Sequence, residues 1–299
     1  MDKEYHIETI SERMNCFGNE AVRHPLVDVV DMSKVANPQR FNYNVMSFGF
    51  YMVVYKEHGC GPLTYGLSKY DYDNGTLLFF APNQKIEVAD VGSPQGKILM
   101  FSSDLLPRTI LETMMRRYTF FSYSVNEALH ISQQEKKQFF DTLDNIELEL
   151  EHSLDKHSRE IVVMNLQLLM SYCLRYYDRQ FISREVMNVE LVDRFKTLLM
   201  EYYGTEAFCQ KGMPQVRYFA DKCNMTPNYF GDLIRKSMGI SPSQYIQEYV
   251  ISIAKQRLLT SQDNISEIAY RLGFEYPQYF TRLFKKLTGL SPQEFRQQS

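Results

Sequence analysis

The C-terminal third of the chain repeats itself: PNYFGDLIRKSMGISPSQY, beginning at Pro227, returns as PQYFTRLFKKLTGLSPQEF, beginning at Pro277. Pro227/Pro277, Tyr229/Tyr279, Phe230/Phe280, Leu233/Leu283, Lys236/Lys286, Gly239/Gly289, Ser241/Ser291 and Pro242/Pro292 all match at one offset of 50 residues. One structural unit is therefore built twice, and two copies alone favour a duplicated module over a longer array. Upstream, Phe219-Ala220 answers Ile268-Ala269 and Cys223-Asn224-Met225 answers Leu272-Gly273-Phe274, so the second copy carries one extra residue before its proline.

Each copy reads as helix, tight turn, helix. Val216, Phe219, Ala220 and Cys223, like Ile265, Ile268, Ala269 and Leu272, fall on one face at helical spacing. Asn224 and Gly273 close these first helices, being residue types that readily take the left-handed conformation. The second helices start near Thr226 and Tyr276, with proline early where its missing N–H costs little, and stop at Gly239 and Gly289. A single copy is equally well a generic helical hairpin. Between the copies, however, about 243 to 262 forms an amphipathic run without internal Gly or Pro. At about 1.5 Å per residue it spans about 30 Å, close to the ~34 Å between successive major-groove faces. Two helix-turn-helix units on such a spacer would place two recognition helices on one side of a duplex.

Residues 190 to 299, and NISEIAYRLGFEYPQYFTRLFKKLTGLSP above all, resemble the DNA-binding domain of AraC-type (AraC/XylS) transcription regulators. The resemblance implies helix-turn-helix units at about 215–239 and 264–289, joined by a linker helix at about 243–262. It implies base contacts from Asn228, Gly231 and Asp232 in the first copy and from Gln278, Thr281 and Arg282 in the second. Arg282 suits guanine O6 and N7, Gln278 or Asn228 suits adenine, and Thr281 suits a thymine methyl. Arg235, Lys236, Lys285 and Lys286 are phosphate candidates, against a reading as solvated surface charge. Tyr229, Phe230, Leu233 and Ile234, with Tyr279, Phe280, Leu283 and Phe284, are expected in the core. The first copy departs from the usual pattern at Gly231, Asp232 and Val250, so the second is expected to carry more of the readout.

Net charge, −3, does not itself indicate a nucleic-acid partner. From Met213 onward eleven Lys or Arg outnumber seven acids, leaving the acidic excess to the front of the chain. The N-terminus lacks a secretory hydrophobic run and no stretch is long and apolar enough to span a bilayer, so a cytoplasmic protein without a membrane partner is expected. Five scattered cysteines read as reduced thiols.

The front differs. Phe48, Phe50, Met52 and Val54 alternate, and TLLFF (76–80), KIEV (85–88) and KILMF (97–101) follow between turn signals. Short strands with tight turns argue for an antiparallel barrel or sandwich. The AraC resemblance implies a cupin-like effector barrel here. Phe48, Phe50, Tyr51, Tyr65, Phe79 and Phe80 would line a pocket for an apolar or sugar-like small molecule, or else are simply core. The six histidines include no H-x-H pair and no cysteine has an evident activating partner, so no metal, cofactor or catalytic residue is expected.

From Ser132 the chain turns helical, opening on a Ser132/Glu135 capping box. Phe139, Leu143, Ile146 and Leu150 form an apolar stripe. By resemblance this helix joins two copies into a homodimer; packing on the chain's own barrel competes.

The fold expected is α+β in two domains: a small antiparallel, degenerate cupin-like β-barrel (1–125) with following helices (126–189), and an all-α domain with two helix-turn-helix motifs (190–299). The function expected is sequence-specific regulation of transcription, activation more than repression, on double-stranded promoter DNA. RNA polymerase would be a partner of an activator, and a small molecule the effector. The rivals are an architectural DNA binder of low specificity and an enzyme fused to a helix-turn-helix domain.

Overall fold

In MVVY (52–55), LLFF (77–80) and ILMF (98–101) apolar residues run continuously, which is the pattern of a sheet covered on both faces. The computed structural model describes residues 4–13, 21–34, 45–57, 75–87, 95–152, 155, 157–183, 185–205 and 212–297. The chain divides into two units, Met1–Gln180 and Phe181–Ser299.

In the first unit, β2 (Val27–Asp31), β4 (Tyr51–Lys56), β5 (Thr76–Phe80), β7 (Gly96–Phe101) and β8 (Leu129–His130) form an antiparallel sheet of order β2-β7-β4-β5-β8. A smaller sheet, β1-β3-β6, joins β1 (Glu4–Ile7), β3 (Val45–Phe48) and β6 (Ile86–Glu87). Its β1 and β3 run parallel. Among the described residues the strands form two open sheets and not the expected closed antiparallel barrel. The two sheets share one core of Ile7, Met46 and Phe48 with Val30, Met52, Val54, Leu78, Phe80, Ile98 and Met100. Phe48 and Phe50 do not continue the strand of Met52 and Val54, because β3 ends at Phe48 and β4 starts at Tyr51.

Strand pleat sends alternate residues to opposite faces, and this separates the expected pocket aromatics. Phe48, Phe50 and Phe80 enter the inter-sheet core. Tyr51 and Phe79 point the other way, Tyr51 stacking on Phe101 at 5.0 Å and Phe79 lying 4.5 Å from Phe120. The structure thus distributes them between two cores, with Phe79 and Phe80 together lining a small cavity beside Phe120 and Tyr177; Tyr65 lies outside the described residues.

After α1 (Ile110–Met114), the sheet's second face is covered by the short turns carrying Phe120 and Phe121 against Phe79, by α2 (Gln133–Glu151) with Phe140 against Tyr55, and by α3 (Ser158–Ser183) with Tyr177 against Phe79. Ser132 and Glu135 do form the reciprocal cap of α2. Its stripe of Phe139, Leu143, Ile146 and Leu150 is buried in this unit, with Tyr55 6.2 Å from Phe139. The dimer expectation therefore fails for those four side chains: the stripe is consumed by the chain's own core. Lys97 holds the helix's polar edge through Glu147 and, at 3.5 Å, Asp144. Asp28 and Arg13 form a fully buried ion pair (0% and 1% exposed side chains), with Arg13 Nε donating to Asp28 Oδ2 at 2.6 Å.

The second unit is helical. After α4 (Glu185–Gly204) come α5 (Val216–Lys222), α6 (Pro227–Met238), α7 (Pro242–Thr260), α8 (Ile265–Arg271), α9 (Pro277–Thr288) and α10 (Pro292–Gln297). Each helix pair closes around a small residue, Ala220 or Ala269, both wholly buried, which lets the helices approach closely.

Candidate DNA interface

The second helix of each unit begins on a proline, which has no N–H to leave unsatisfied. Thr226 caps α6 by accepting from the Tyr229 N–H, and Gly239 and Gly289 end α6 and α9 in the left-handed conformation. Phe230, Leu233 and Ile234 face inward from α6, and Phe280, Leu283 and Phe284 from α9. These backs fix which residues face out.

On α9, Gln278, Arg282, Lys285 and Lys286 are exposed and Thr281 is half-buried, its hydroxyl donating to the Pro277 carbonyl at 3.1 Å. On α6, Asn228, Arg235 and Lys236 are exposed, while Gly231 and Asp232 are half-buried. Asp232 accepts from Arg235 at 3.2 Å, so the first recognition helix neutralises one of its own cations. The second face is the more polar and basic of the two.

The structure corrects one core expectation. Tyr229 is 1% exposed, its ring 5.2 Å from Phe181, whereas Tyr279, the same residue one repeat later, is 49% exposed. The neighbours differ because the chain supplies Phe181 and α4 to the first unit alone, and α10 to the second. On α4, Phe195 lies 5.0 Å from Phe219, 5.4 Å from Phe230 and 5.5 Å from Tyr245, tying α5, α6 and α7 together. Phe284 of α9 meets Phe295 of α10 at 5.5 Å.

The turns differ too. Asn224 takes φ 55° and Gly273 takes φ 84°. At Gly273 a Cβ would lie 2.7 Å from the Gly212 carbonyl carbon and 2.9 Å from the Met213 nitrogen. The close approach is bonded: the Met213 N–H donates to the Gly273 carbonyl at 3.0 Å, and the Tyr202 hydroxyl donates to the Gly212 carbonyl at 2.8 Å. Burial pushes the Tyr202 hydroxyl's pKa up. The lead-in to the first unit is thereby fastened to the turn of the second. The sequence reading missed this clasp and the helix that feeds it, although Leu191, Phe195, Leu199 and Tyr202 have helical spacing.

Burial pushes the thiols of Cys173 and Cys223 up, opposite to the activation a nucleophile requires. Cys16, Cys60 and Cys209 lie outside the described residues.

Two helix-turn-helix units, each presenting a polar recognition helix from an apolar back, define a DNA-binding module. Residues 219–298 match the family model described as a helix-turn-helix domain. The chain is 38% identical over 79 residues to an uncharacterized HTH-type transcriptional regulator, YtdP, of Bacillus subtilis, covering 26% of this chain and 10% of that one. It is 38% identical over 80 residues to the bifunctional transcriptional activator/DNA repair enzyme AdaA of the same organism (27% and 38% covered). Against the arabinose operon regulatory protein of Escherichia coli, identity is 39% over 72 residues (24% and 25% covered). Residues 219–298 are a helix-turn-helix domain, similar in sequence to the matched segments of these three regulators. The chain spans between 10% and 38% of the length of these three relatives.

Proposed function

We propose that this chain is a sequence-specific, AraC-type transcription regulator, an activator, that lays α6 and α9 into successive major-groove segments of promoter DNA. The observation that carries the reading is the paired outward faces, Asn228 with Arg235 and Lys236 on α6 and Gln278 with Arg282, Lys285 and Lys286 on α9. The linker between them, α7, has 19 residues, which at 1.5 Å each is about 28 Å. Asp232 would repel phosphate, although it could accept from a cytosine amino group, and it draws on Arg235 of its own helix, so α9 carries more of the direct readout.

The N-terminal unit, Met1–Gln180, acts as the sensing part: a small molecule that binds one arrangement of the protein better than another shifts the population by its differential affinity. The proposal assigns no catalytic residue, and the AdaA likeness is confined to the helix-turn-helix region. An activator of this kind also meets RNA polymerase.

Selection from a random duplex pool by the full chain tests this. A base preference that survives raised salt, where the phosphate contribution weakens, is the expected result; loss of all preference would make the protein an architectural binder. On the selected site, Arg282→Ala should cost about 1–3 kcal/mol and relax specificity at one position. A uniform loss over all sequences would make Arg282 a phosphate contact instead.

A further inference from the structure

The unequal fates of Tyr229 and Tyr279 point to a DNA contact outside the base-reading positions named above. In the first unit this tyrosine is sealed under Phe181; in the second, with no equivalent cover, half the side chain stands in solvent. Its position is not random. At about 100° per residue, Tyr279 lies about 20° around α9 from Lys286 and about 60° from Arg282, so it continues the exposed face formed by Gln278, Arg282, Lys285 and Lys286. Its ring leans on Phe274 at 5.9 Å, which fixes one edge and leaves the other outward.

A tyrosine bordered by lysine and arginine suits one kind of occupant. Its cationic neighbours attract phosphate, and its ring, backed by Phe274, keeps an outward edge that a duplex would cover. The apolar feature a duplex presents in the major groove is the thymine C5-methyl.

We propose that Tyr279 is a specificity-determining residue, its ring seated on a thymine methyl at the edge of the segment read by α9. This rests on the regulator reading above. The first unit makes no such contact, since Tyr229 is occupied within the protein.

The test uses the full chain and its selected duplex, with each thymine replaced in turn by deoxyuridine, which lacks only the methyl. At one position the wild type should lose affinity by about threefold to tenfold. Tyr279→Ala should bind the thymine duplex about tenfold more weakly and be indifferent to deoxyuridine there, while Tyr279→Phe keeps the methyl dependence. Far-UV circular dichroism melting checks that both variants fold. Tyr279→Ala binding like the wild type, or retaining the wild-type penalty at every thymine, overturns the proposal. A wild type without base preference instead removes the regulator reading beneath it, so the two failures are distinct.

Discussion

Gly273→Val should strongly destabilise the second helix-turn-helix unit and weaken binding to a two-groove site. Two costs coincide at this position. The left-handed backbone, φ 84°, disfavours a β-branched side chain by about 1–2 kcal/mol. The new Cβ also meets backbone, not a flexible side-chain tip: the Gly212 carbonyl carbon at 2.7 Å and the Met213 nitrogen at 2.9 Å. Forcing atoms into a filled space typically costs a further ~1–3 kcal/mol. Together these approach the lower end of the ~5–15 kcal/mol that holds a typical domain.

Urea unfolding followed at 222 nm reads the effect. Gly273→Asn separates the two terms, since asparagine tolerates the left-handed region, as Asn224 does in the first copy, yet brings the same Cβ. If Asn is nearly as damaging as Val, the clasp with Gly212 decides; if Asn is tolerated, backbone conformation decides. A Val variant with an unchanged midpoint would refute the turn assignment.

Asp28→Ala should be of similar size in the first unit, about 3–5 kcal/mol, because it leaves the Arg13 guanidinium buried without its anion. Arg23 loses less, being partly exposed and able to reach Glu147 at 3.3 Å. The informative comparison is the double replacement Arg13→Met with Asp28→Leu, which removes both charges and keeps most of the volume. It should restore most of the lost stability in urea denaturation, because removing both charges avoids the uncompensated one. If the double variant is as unstable as Asp28→Ala, the pair's hydrogen bonds matter to this unit beyond mutual neutralisation.

What the sequence discloses here depends on whether a signal is local. Proline starts, glycine stops and small alanines are set within a few residues, so the helix-turn-helix units are legible. Partners distant in sequence are not. The stripe from Phe139 to Leu150 announces an apolar face but not what covers it, and Tyr55 of the chain's own sheet proves to be there. Continuous apolar runs indicate strands, yet the parallel pairing of β1 with β3 bridges residues about forty apart, and no local pattern encodes it. Tyr229 and Tyr279 set the limit most sharply: the same residue in the same motif is core in one copy and surface in the other, because Phe181 reaches only the first.

The hydrogen bond between Met213 and Gly273 has a thermodynamic meaning. It closes a ring of chain, since everything from the lead-in of α5, through α6 and α7, to the turn after α8 lies between two points that touch. Neither recognition unit can fray at this point without opening the base of the other. The bond therefore couples the base of the first copy to the turn of the second, by about the 0.5–1.5 kcal/mol of one hydrogen bond.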